Sequence, residues 1–147
     1  MPPRAASRLS VIVLSPGGPP PEVVLERLGE QPLFDGGERL CRAEISPRGR
    51  FFSSGQGGFR VSCPVDGRVI TSAFVPALEG WRRGGCREIQ CPCGLRHDLD
   101  ALDYTPPAGF AAAWIEARDV GSVELSAPAA AILREMWPDC RLVGQRG

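Results

Sequence analysis

Lysine is absent from this chain: all 17 basic residues are arginine. That bias marks a GC-rich, bacterial coding sequence before it marks a functional choice. Histidine occurs once, as His97, which counts against nucleophilic catalysis built on a thiol or hydroxyl with an imidazole base. There is no Gly-rich phosphate loop and no G-x-S-x-G elbow, so two common enzyme signatures are missing. No apolar run approaches the roughly 20 residues that span a bilayer. The longest early one, Val11-Ile12-Val13-Leu14, is too short for a signal h-region, and a cytoplasmic location is expected. Net charge is zero and the pI is near 6.6, which argues against indiscriminate nucleic-acid binding. No internal repeat or low-complexity tract is present.

What the chain does contain suits one folded domain. It has 147 residues, 43% of them hydrophobic and 23% charged, enough to bury a core. The 18 Gly and 15 Pro predict many turns. Irregular chain is expected over the first seven residues, the Ser15 to Pro21 run, Ser46 to Gly58 and the last few residues.

Arg8 to Leu14 predicts a buried strand stopped by Pro16-Gly17. A helix follows, with Pro21 in its first turn, Val24, Leu25 and Leu28 on one face and Gly29 at its end. Arg39 to Ile45 is the second strand. Phe59 to Cys63 and Arg68 to Phe74 predict a hairpin around Pro64-Val65-Asp66-Gly67, followed by a short helix or turn over Pro76 to Arg83 and a short strand over Arg87 to Cys91. Leu95, Leu99 and Leu102 are expected to face inward. Ala111 to Val120 reads as strand or helix, with Trp114, the β-branched Ile115 and Asp119-Val120-Gly121 favouring strand; Ser126 to Trp137 is a helix capped by Ser126, and Cys140 to Gly144 a closing strand. The order strand–helix–strand, cysteine-bearing block, strand–helix–strand predicts an α+β fold: a split βαβ (ferredoxin-like) sandwich forming one domain over 1–147, with residues 59–98 inserted as a β-hairpin module.

That module carries the chemistry. Cys63, Cys91 and Cys93 sit at two turns, and soft thiolates from two turns are how a small fold holds tetrahedral zinc. His97 completes the set, with Cys86 and Asp66 as alternates for the fourth position. Cys63-Pro64-Val65-Asp66-Gly67 resembles the C-P-x-C-G knuckle of a zinc ribbon with Asp in place of the second Cys, and Cys91-Pro92-Cys93-Gly94 resembles the partner knuckle one residue short. The resemblance covers residues 59–98 and implies a bound structural zinc ion. Cys41 and Cys140 lie in strand-like runs and are expected to pack. Trp81, Trp114 and Trp137 are expected as core anchors, Trp81 also as a stacking platform.

Charge is unevenly spread. Residues 39–96 hold ten Arg against four carboxylates, while both flanks are acidic. An Arg-rich face is therefore expected to meet an acidic protein surface through Arg48, Arg50, Arg60, Trp81, Arg82, Arg83 and Arg87. The function expected is a non-enzymatic binding protein of immunity, adaptor or regulatory type; the alternative is a nucleic-acid-binding zinc-ribbon protein.

Overall fold

Val11-Ile12-Val13-Leu14 is largely β-branched, stiff at χ1 and suited to a pleated surface, and in the computed structural model all four side chains are buried. The structure describes residues 9–54 and 59–146. The expected irregular N-terminus, the start of the first strand at Arg8, residues 55–58 and the final Gly147 lie outside the described residues. From the N-terminus run β1 (Leu9–Leu14), α1 (Pro21–Leu28), β2 (Leu40–Phe52), β3 (Arg60–Ser62), α2 (Thr71–Arg82) and β4 (Glu88–Gln90). There follow β5 (Arg96–Asp98), a 3-10 turn at Leu99–Ala101, β6 (Asp103–Thr105), β7 (Gly109–Arg118), α3 (Ala127–Met136) and β8 (Arg141–Arg146). The protein is mixed α and β and its main sheet is antiparallel. No helix among the described residues is long and apolar enough to cross a membrane.

The chain forms two compact units, Met1–Gly55 with Ala108–Gly147, and Gln56–Pro107. In the first, four strands lie in the order β2-β7-β1-β8. β1 is central, which is why its apolar run is continuous and not alternating. Val11 and Val13 join Ile115 and Ala117 in a core with Val24 and Leu28 of α1 and Ala129 and Leu133 of α3. Ile12 and Leu14 turn to the other face, with Phe52, Trp114 and Val143. Strand period two accounts for the division.

Both helices of this unit carry a proline in their first turn, Pro21 in α1 and Pro128 in α3, and lean on their caps. Pro21 opens α1, and the Gly29 N–H closes it onto the Leu25 carbonyl with φ +66°, a left-handed value that glycine adopts freely. Ser126 caps α3, its Oγ accepting from the Ala129 N–H at 3.2 Å and donating to the Pro32 carbonyl at 2.7 Å. Trp137, fully buried at the end of α3, donates Nε1–H to the Pro19 carbonyl at 2.8 Å. That bond ties the end of α3 to the entry of α1.

β2 corrects the expectation that the strand ends at Ile45 and that irregular chain follows. It continues to Phe52, and its pairing with β7 shifts between Ile45 and Arg50. Pro47-Arg48-Gly49 has the composition of a terminator, but β7 is long enough to pair on both sides of a bulge there, with Gly49 at φ +87°. Beyond the bulge, Phe52 is opposite Gly109, so the chain leaves the sheet toward the second unit and returns from it on two hydrogen-bonded neighbours.

The second unit contains the 59–98 window. β3 pairs with β6, and β4 with β5. The hairpin expected from Phe59 to Phe74 is cut short: beyond the bridge between Ser62 and Val69, the chain turns into α2 at Thr71. Val69-Ile70-Thr71 has strand composition, but Ile70, Phe74 and Leu78 recur every four residues and all three are buried. Helical burial of that stripe overrides β propensity. Pro76, expected near the helix start, lies inside α2 on its exposed side. Gly85 follows the helix so closely that a Cβ there would stand 2.8 Å from the Gly80 carbonyl oxygen. Leu99 and Leu102 are buried as expected, whereas Leu95 is 54% exposed because it turns outward at the tip of the β4–β5 hairpin.

Candidate metal centre

Two turns build the centre. The first follows β3: Cys63 accepts the Gly67 N–H on its carbonyl at 2.9 Å and donates its own N–H to the Arg68 carbonyl at 2.8 Å, closing a tight loop over Pro64-Val65-Asp66. The second closes the β4–β5 hairpin, where the Gly94 N–H bonds the Cys91 carbonyl and the Cys91 N–H bonds the Leu95 carbonyl, both at 2.9 Å. Gly94 sits at φ +96°, a value that requires glycine at this turn. Ile89 pairs with His97 across the hairpin. Strand alternation therefore sets Cys91, two residues beyond Ile89, on the same face as the imidazole.

The ligand atoms of Cys63, Cys91, Cys93 and His97 all lie within 4.8 Å of one another. His97 Nε2 is 3.4 Å from the Cys93 sulfur and 3.8 Å from the Cys63 sulfur. A zinc ion with bonds of about 2.3 Å to sulfur and 2.0 Å to nitrogen sets neighbouring donors about 3.5 to 3.8 Å apart. The donor set, three thiolates and an imidazole, fits zinc in chemistry and spacing.

The surroundings are prepared for anionic sulfur. The Val65 N–H donates to the Cys63 sulfur at 3.3 Å, the Cys93 N–H to that of Cys91, and the Leu95 N–H to that of Cys93. Each ligand sulfur thus has a backbone donor. For Cys93 the Leu95 N–H outweighs burial and, helped by His97 and the neighbouring sulfurs, brings the thiol down to about 7. For Cys91 the Cys93 N–H pulls the same way but is overcome by burial and by the sulfurs of Cys93 and Cys63, which push the thiol up to about 11. Without a cation the cluster holds part of its sulfur protonated; a divalent ion removes that conflict.

Comparison with protein-family models, with curated proteins and with solved structures returns no match. The centre stands on its own geometry.

The sequence alternates for the fourth position fall outside the four-residue group. Cys86 is exposed. Asp66 accepts the Arg68 N–H at 2.9 Å, and that bond, with a further one to the Cys63 side chain, holds its carboxyl below the usual carboxylate range. It flanks the centre without joining it. Cys41 and Cys140 are half-buried against the first unit's core; burial, with Glu38 behind it, pushes the Cys41 thiol up to about 12, and burial raises Cys140 as well. The three backbone donors had no side-chain signal in the sequence. Their only trace is position, Val65 and Leu95 each standing two residues after a ligand cysteine.

The arginines expected to form one face belong to both units. Arg48 and Arg50 lie on β2, where the Arg50 guanidinium covers the rings of Phe52 and Trp114 at 5.3 and 5.4 Å. Arg60, Arg82, Arg83 and Arg87 belong to the second unit, with Trp81 half-buried on α2. Arg82 is paired with Glu79 at 3.1 Å and Arg87 with Asp98 at 3.0 Å. Residues 56–107 contain six Arg and six carboxylates, so the second unit by itself carries no excess charge.

Proposed function

We propose that this chain is a non-enzymatic binding protein in which a ferredoxin-like (split βαβ) sandwich carries a zinc-ribbon-like module stapled by one structural zinc ion. The observation that supports this most is the closed donor set of Cys63, Cys91, Cys93 and His97. Four protein ligands leave a tetrahedral ion no open position for substrate, as in structural and not catalytic zinc sites. The same set uses the chain's single histidine, which leaves no imidazole to activate a nucleophile. The sandwich assignment draws on the strand order β2-β7-β1-β8 with both helices packed into one core.

All six cysteines are free, in keeping with a reducing, cytoplasmic setting. The partner proposed is an acidic protein surface met by exposed arginines of the second unit, among them Arg60 and Arg83, in a protein of immunity, adaptor or regulatory type. A nucleic-acid partner met by the same arginines is the alternative reading.

Metal analysis and thiol alkylation of untagged protein test the proposal together. One equivalent of zinc, lost in Cys91→Ser, with Cys63, Cys91 and Cys93 protected from alkylation in the loaded protein, is the expected result. A fast-reacting Cys91 or Cys93 thiol in zinc-loaded protein would point instead to nucleophilic or redox thiol chemistry. Affinity for short DNA or RNA that falls steeply with salt would favour the nucleic-acid partner.

A further inference from the structure

We propose that the metal orders one segment of the second unit, the hairpin Arg87–Asp98, while the remainder of that unit folds without it. The chain then holds a metal-responsive element whose ligand is a borderline-soft divalent cation, zinc above all. The inference rests on the metal-centre reading above.

Apart from the ligands, the hairpin is tied to the unit by the packing of β4 against α2 and by the Leu99 N–H on the Arg87 carbonyl at 3.0 Å. β4 and β5 have three residues each, and an isolated two-stranded hairpin is marginal in water. Its one buried apolar side chain besides the ligands is Ile89. Its ion pairs, Arg87–Asp98 and Arg96–Glu88, have side chains at least 40% exposed and contribute little. Three of the four ligands, Cys91, Cys93 and His97, belong to this hairpin, and only Cys63 lies outside it. Metal therefore crosslinks the hairpin to the rest of the unit at one point, across 28 to 34 residues of chain.

The remainder has its own core. Val61, Ile70, Phe74, Leu78, Leu99 and Leu102 are buried and none is a ligand. Tyr104 packs between Phe59 and Phe74, with ring centroids 6.0 and 5.5 Å away. β3 is held by β6 on one side and by the Ile70 N–H on the Val61 carbonyl on the other. Removing the cation takes from the hairpin its main tie and leaves this aromatic and aliphatic core in place. Cys91, Cys93 and Ile89 become accessible in the opened state.

Hydrogen exchange read by mass spectrometry on the full chain tests this, comparing zinc-loaded protein with protein stripped by chelator under reducing conditions, with metal content measured on the same samples. Amides of residues 87–98 are expected to lose protection by at least about tenfold on stripping and to regain it with added zinc. Amides of α2, β1 and β7 stay within a few-fold of their loaded values. Unchanged protection over 87–98 in metal-free protein overturns the inference and leaves the metal site standing; so does loss of protection across all of 56–107. A chain that takes up no zinc overturns the metal centre itself.

Discussion

The Cys93 sulfur lies 3.4 Å from Nε2 of His97, four residues further along the chain. The hairpin turn at Gly94 makes that contact, and the loop after β3 brings Cys63 to it from 30 residues away in sequence. Metal affinity is therefore expected to depend on ligand identity and on the backbone of the two turns that carry the ligands.

Cys63→Ser should abolish stoichiometric zinc, because it removes the only ligand outside the hairpin, whereas Asp66→Asn and Cys86→Ser should each keep one equivalent. Elemental analysis of the three variants distinguishes the four-residue group from either alternate ligand. Retained zinc in Cys63→Ser together with loss in Asp66→Asn would show that the carboxylate is the true ligand.

Gly94→Ala should weaken zinc binding by about ten- to a hundredfold. A Cβ at φ +96° strains the turn even though nothing crowds it. Competition with a chromophoric chelator reads the change, and the fold of the first unit, followed by near-ultraviolet signal from Trp114 and Trp137, should stay intact.

Ser126→Ala should cost about 0.5 to 2 kcal/mol, the range for losing a helix N-cap. The same substitution leaves the Pro32 carbonyl without its hydroxyl donor. A urea midpoint measured on zinc-loaded protein gives the value, and an unchanged midpoint would mean that water replaces the hydroxyl at no cost.

Alkaline conditions should destabilise the first unit through Cys41. Its thiol ionises near 9 when unfolded and near 12 when folded, so the unfolded chain releases its proton first. Stability attributable to this group is whole below pH 9 and declines as pH rises from 9 toward 12. Cys41→Ala should show a shallower alkaline decline in urea midpoint than the parent. Under the same conditions Cys86, exposed, should be alkylated well before Cys41.

Replacing residues 53–108 by a two-residue Asn-Gly turn should leave a folded four-stranded sandwich. Phe52 and Gly109 are already paired across the sheet, and an Asn-Gly turn closes such a pair with the right twist. Dispersed amide spectra with β1 protected from exchange would bear this out; a collapsed, unprotected chain would show that the first unit depends on the second.

Elements whose burial repeats on a local period were legible in the sequence. The apolar run of β1, the Ser126 cap and 3.6-residue stripe of α3, and the Pro21 and Gly29 bounds of α1 each carry their instruction within a dozen residues. The knuckle cysteines were legible too, since Pro and Gly beside Cys mark tight turns whatever surrounds them. What local sequence misassigned were segments where composition and context disagree: Val69 to Phe74 has strand residues but buries a helical stripe, Ser46 to Gly49 has turn residues but is a bulge after which Arg50 to Phe52 pair with β7, and Leu95 is apolar yet exposed.

By itself the sequence determined which residue types were available to hold a metal and which segments would turn, because thiolate chemistry and backbone sterics are properties of a few adjacent residues. Only the tertiary structure decided that His97 and not Cys86 or Asp66 completes the group, that backbone N–H groups of Val65, Cys93 and Leu95 face the three sulfurs, and that the arginines of the 39–96 stretch divide between two units. Each of these depends on distance between residues far apart in the chain or on the direction of an amide, and neither is encoded at any single position.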